Sequence, residues 1–171
     1  GSRPVAARLI AQRLLANERH RESQEKALKV AEDREQVLSR VEAAVGGNAT
    51  ELAEERARMA FARAAIAQAN EEHSELELQL LKAETESGSA LGTTETLLAN
   101  LAARQAEHEG ARLRLQLARA TAASLLDMPV EEILTPVPQG AESLPLWQTI
   151  LKVPVRASAE SVVQSEAMTS G

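Results

Sequence analysis

The sequence predicts an all-α fold of long antiparallel helices, and three observations carry that prediction. Ala and Leu make up about a third of the chain, against only 8 Gly and 6 Pro. No proline falls between Pro4 and Pro129. Across that proline-free stretch, apolar residues recur at spacings of three, four and seven, the repeat of a helix that packs along one face. Aromatic residues are almost absent, with Phe61, Trp147 and no tyrosine. A sandwich or barrel would need aromatic and β-branched strands.

The helical stretch, about 3–128, is too long for one helix of a compact domain and must fold back on itself. Two topologies fit. Three helices over about 5–45, 49–86 and 94–127 run up, down and up as a coiled coil, each arm roughly 55–60 Å long at about 1.5 Å per residue. Alternatively Gly46-Gly47 is a kink, and one long kinked hairpin turns once at Gly88 to Gly92. The similar lengths of the three segments favour the first, since every apolar stripe then finds a partner.

The first segment carries a stripe of Ala16, Ala27, Val30, Val37, Val41 and Ala44, which predicts its packed face. Its middle, Glu18 to Glu35, is dense in charge, so much of its surface faces solvent. Gly46-Gly47-Asn48-Ala49-Thr50 reads as a break: glycine stops one helix, and Asn48 or Thr50 caps the next. The second segment has Leu52, Met59, Ile66, His73 and Leu80 at seven-residue spacing. Its alanine-rich middle, Ala57 to Ala69, lets neighbouring helices approach closely. The run Ser87 to Thr94 is a turn signal, with Thr93 or Thr94 as the cap of the third segment. That segment shows Leu97, Leu98, Leu101, Leu113, Leu117 and Ala120, with small residues Ala99, Ala103, Ala106 and Gly110 between them. Beyond Met128 the prolines cluster, which predicts an extended, irregular segment over 129–154. A short helix and an unstructured tail are expected over 155–171.

The charge balance, 19 basic against 25 acidic residues for a net −6, argues against nucleic acid as a partner. With no cysteine there is no disulfide framework, thiolate metal site or thiol nucleophile. His20, His73 and His108 lie one on each segment, so a shared metal site with Glu18, Glu72, Glu107 or Glu109 is conceivable. No histidine pair has ligand spacing within a segment, however, and Glu71-Glu72 reads as solvated charge, so no metal or cofactor is expected. No phosphate-cradling glycine loop or nucleophile elbow is present, and the chain is read as a non-enzyme without catalytic residues. No apolar run is long enough for a membrane-spanning helix.

Three stretches resemble the TolC-like outer membrane factors, the exit ducts of efflux and secretion systems. Arg40-Val41-Glu42-Ala43-Ala44-Val45-Gly46-Gly47-Asn48-Ala49-Thr50-Glu51-Leu52 is similar to the family's helix–turn–helix tip. Ala123-Ser124-Leu125-Leu126-Asp127-Met128-Pro129 looks like the end of the family's return helix, usually Leu-Leu-Gly-x-Pro, with Asp127 in place of the glycine. Pro154-Val155-Arg156-Ala157-Ser158-Ala159-Glu160, followed by Ser165-Glu166-Ala167, is similar to the opening of the second repeat. The distance from Gly46 to Leu125 exceeds the family's usual return helix, which implies an insertion or places the true tip at Ser87 to Thr94.

The resemblance implies a helical-tunnel segment without its membrane barrel, acting in transport in the periplasm and outer membrane. It implies a homo-oligomer, with a trimer favoured, and contacts from the tip to a periplasmic adaptor. The tip residues are then Val45, Gly46, Gly47 and Asn48, or Gly88, Ser89, Ala90 and Leu91. Two alternatives stay open: the helical hairpin of such an adaptor, or a cytoplasmic coiled-coil scaffold.

Overall fold

A computed structural model of the chain describes residues 2–86, 88 and 92–134. It consists of three long helices, α1 (Ser2–Ala44), α2 (Ala49–Glu86) and α3 (Thr94–Leu126), followed by a 3-10 turn at Val130–Glu132. No strand occurs among the described residues. The fold is all-α, and the three-helix topology is the one adopted.

Gly46-Gly47 is a true helix stop because both residues take left-handed backbone angles, φ 75° and 91°. A Cβ added at either would meet nothing within 4 Å, so the demand for glycine is a backbone one. The Gly46 N–H donates to the carbonyls of Val41 and Glu42 at 3.3 and 3.0 Å, closing the last turn of α1. The Asn48 N–H donates to the Glu42 carboxylate at 2.6 Å, and its carbonyl accepts the Leu52 N–H at 2.9 Å to open α2. At the start of α3, Thr93 is the cap: its Oγ1 accepts the Thr96 N–H at 3.1 Å. Helix α3 ends on Asp127 at φ 55°, with the Met128 N–H donating to the Ala123 carbonyl at 3.1 Å. Asp127 thus occupies the left-handed position that usually takes glycine. Beyond α3, Pro129 and Ile133 have extended backbone and flank the 3-10 turn at Val130–Glu132. Residues 135–154 and 155–171 lie outside the described residues.

The chain divides into two compact units, each taking a stretch of every helix. One unit comprises Gln24–Ala65 and Leu117–Gly171. Its apolar cluster joins Ala57, Ala60, Phe61, Ala64 and Ala65 of α2 to Ala122, Ala123 and Leu126 of α3 and to Ile133 and Leu134. Alanines let the helix backbones come close, and Phe61, 1% exposed, fills the space they leave. Salt bridges from Glu32 to Arg63 and from Glu35 to Arg56 set α1 antiparallel to α2.

The other unit comprises Gly1–Ser23 and Ile66–Gln116. Here the buried apolar residues are fewer, Ala69, Leu76, Leu78 and Ala111. Polar side chains fill the seams instead. Asn17, buried, donates from Nδ2 to the Ala69 carbonyl at 3.0 Å and to Glu72 at 3.2 Å. Arg104 of α3 bridges Glu77 of α2 at 3.1 Å.

Most positions of two predicted seams turn out to face solvent. In α1 the inward positions are Asn17, Gln24 and Ala31, seven residues apart, while Ala16, Val30, Val37, Val41 and Ala44 are exposed. In α3 the inward positions include Leu97, Leu101, Arg104, His108, Ala111, Leu115, Ala118 and Ala122, while Leu98, Leu113, Leu117, Ala99, Ala103, Ala106 and Ala120 are exposed. The alanine-rich surface of α2 favours small or hydrogen-bonding partners over bulky branched ones. The helices rotate accordingly.

Candidate functional site

The strongest convergence of chemistry-bearing groups lies on α2 and α3 within the polar unit. Helical spacing puts Glu71 and Glu75 on one face of α2, a turn apart, with Ser74 beside them. His108 of α3 meets them from its inward seam. One ligand atom each from Glu71, Glu75 and His108 lies within 4.8 Å of the other two. His108 Nε2 is 3.7 Å from Glu71 Oε2, and His108 Nδ1 is 3.1 Å from Ser74 Oγ.

The hydrogen bonds of Ser74 favour one tautomer of neutral His108. Ser74 has a single hydroxyl proton, which it donates to the Glu71 carbonyl at 2.8 Å. With that proton engaged, its oxygen can accept from His108 Nδ1–H, and in this tautomer Nε2 presents a lone pair to the Glu71 carboxylate. Burial pushes the Glu71 carboxyl above its usual range; Glu75 and Glu72 push the same way, and His108 and Arg112 oppose them. Gln79 donates to Glu75 Oε2 at 3.2 Å, which steadies that side chain without neutralising it. A serine beside a histidine and a carboxylate suggests a nucleophile, but the geometry does not supply one. Ser74 Oγ is already bonded to the Glu71 carbonyl at 2.8 Å, and Ser74 is buried.

A shallow groove of about 300 Å³ lies elsewhere in the same unit. Leu14, Leu80 and Leu81 form its apolar part, and Glu77, Arg104 and Glu107 are among its polar groups. Glu77 is tied up by Arg104 and by His73 Nε2, at 3.1 Å each.

The structure does not gather the three histidines around one point. Only His108 joins the cluster, and its companions are Glu71 and Glu75 rather than Glu18, Glu72, Glu107 or Glu109. The missed signal was the spacing of Glu71 and Glu75, hidden among many solvated carboxylates. Burial pushes the His20 imidazole down, against Glu72, which raises it. Of the tip residues, Val45, Gly46, Gly47 and Asn48 form the α1–α2 turn, with Val45 78% exposed. Gly88 follows α2 in a left-handed conformation, φ 79°. Ser89, Ala90 and Leu91 lie outside the described residues.

Comparison with known protein families, curated proteins and solved structures finds no match for the chain. None of the described helices is long and apolar enough to cross a membrane.

Proposed function

We propose that the chain acts by helix association rather than by chemistry, as a non-catalytic module that assembles with copies of itself. The observation that carries this is the outward face of α1 in the apolar unit. Val30, Val37 and Val41 are exposed there at seven- and four-residue spacing, with Ala27 and Ala44 continuing the stripe. Such a repeat is the seam of a coiled coil, and here its valines face solvent while Gln24 and Ala31 are buried. A second copy of the chain is the natural occupant of a face with that repeat.

The resemblance to the TolC-like factors supports a narrower version of the same reading. In it the module is a tunnel segment of an export duct in the periplasm and outer membrane. A trimer forms, and a periplasmic adaptor touches the exposed Val45 turn. The gene sequence on either side of the segment separates the narrower readings. Ten-residue alternating strands favour the duct. Strand-rich lipoyl-like halves favour the adaptor, and neither favours the scaffold.

The test is sedimentation equilibrium of the chain and of a Val30→Lys/Val37→Lys variant. Both positions are exposed, so helicity by circular dichroism should be retained. The expected result is concentration-dependent self-association that the charged variant loses. A concentration-independent monomer, or a variant that associates as the parent does, overturns the proposal.

A further inference from the structure

We infer that Glu71, Glu75 and His108 bind a divalent transition-metal ion of the zinc class, pinning α2 to α3 within their unit. The inference goes beyond self-association and does not depend on it.

The argument starts from an imbalance. His108 Nε2 and Glu71 Oε2 stand 3.7 Å apart. Both are acceptors when the neutral imidazole carries its proton on Nδ1, donating it to the Ser74 hydroxyl oxygen. Two lone pairs facing each other at a half-buried position repel unless a proton or a cation lies between them. Glu75 brings a third acceptor to the same point. The local charge invites a cation: Glu71, Glu72 and Glu75 lie close together, and the nearby Arg112 is itself engaged by Glu109 at 3.7 Å.

The donor set selects the ion. One imidazole nitrogen with two carboxylate oxygens suits zinc and its first-row neighbours better than calcium or magnesium, which prefer oxygen throughout. Three protein donors leave a fourth tetrahedral position for water. Donors sharing one zinc ion stand roughly 3.5 Å apart, given bonds of about 2 Å. The 3.7 Å pair is nearly there, and the exposed Glu75 side chain, held on one oxygen by Gln79, has its other oxygen to offer. Ser74 acts as the outer partner, holding the far ring nitrogen and so aiming the near one, as the second shell of a metal-bound histidine does. The helices supply the rest, since two ligands come from adjacent turns of α2 and one from α3.

The experiment is calorimetric titration of the full chain with zinc chloride at pH 7.5, backed by competition with a chromogenic chelator. One ion per chain is expected. Affinity should fall at least tenfold in Glu75→Gln, which alters an exposed side chain and leaves the fold intact, and in His108→Gln. Ser74→Ala should lower it several-fold while keeping the stoichiometry. A His20→Gln/His73→Gln variant should bind as the parent does. The melting temperature should rise with zinc in the parent and not in Glu75→Gln. Absence of saturable binding up to millimolar zinc overturns the inference. So does binding that survives both Glu75→Gln and His108→Gln, or that disappears in the His20/His73 variant.

Discussion

The two units are built from the same three helices and are held in different ways. In the unit containing Phe61, α2 and α3 meet through alanines in an apolar cluster. In the unit containing His108, the helices meet through Asn17, Arg104 and the Glu71 cluster, with few apolar residues between them. Dispersion and apolar burial are non-directional and roughly additive, so the first kind of contact supplies stability. Hydrogen bonds contribute little net free energy but are costly to break, so the second kind supplies register. The contrast suggests a division of labour along one helical chain, and substitutions in each unit measure it.

Phe61→Ala is expected to have the largest effect. Phe61 is 1% exposed and is the largest side chain in the alanine-lined core. Removing it leaves a cavity that small neighbours cannot fill, for a loss of about 3–5 kcal/mol in urea unfolding. A loss below about 1 kcal/mol would mean that the alanine contacts alone hold this unit, and the comparison would fail.

Asn17→Ala probes the other unit, with an expected loss of about 1 kcal/mol. The substitution removes two hydrogen bonds, to the Ala69 carbonyl and to Glu72. It also removes a buried Oδ1 that has no partner, which offsets part of the loss. The same measurement applies. A cost equal to that of Phe61→Ala would show that the polar seam carries stability and not only register.

The elements were legible in the sequence because their ends are local. Gly46-Gly47 and Thr93 announce themselves through backbone angle and capping, which depend on a few neighbouring residues. The alanine-rich face of α2 was legible, and the faces of α1 and most of α3 were not. In an Ala/Glu/Leu helix several stripes share the coiled-coil spacing, and the valine stripe of α1 looks more like a seam than Asn17, Gln24 and Ala31 do. Which stripe turns inward depends on the surface opposite, here the alanines of α2, and that surface is remote in sequence. The cluster of Glu71, Glu75 and His108 was hidden for the same reason. Its two halves sit on different helices, and only the antiparallel register brings His108 to Glu71 rather than to one of the many other carboxylates.

The smallest expected effect sharpens the account of the Phe61 unit, because that unit also buries a carboxyl group. Glu54 is 2% exposed, and its Oε2 has no hydrogen-bond partner. Burial raises its carboxyl above the usual range; Arg58 pulls it down, while Glu51 and Glu55 push it up. Arg58 is already engaged by Glu55 at 2.9 Å. A folded state that holds the Glu54 proton more tightly than the unfolded chain gains stability at acid pH. It loses that gain as pH rises from the unfolded carboxylate value through the raised folded one. His20 works in the opposite sense. Its imidazole is pushed down, so its contribution is present above the unfolded value of about 6.5 and is lost as pH falls. Glu54→Gln removes the first effect and leaves the second. The variant should be more stable than the parent at pH 7, by at most about 1 kcal/mol, and indistinguishable from it near pH 4. Urea unfolding at the two pH values reads the difference. A variant that is less stable at pH 7 would mean that Arg58 stabilises ionised Glu54, and that an ion network as well as alanine packing holds this unit together.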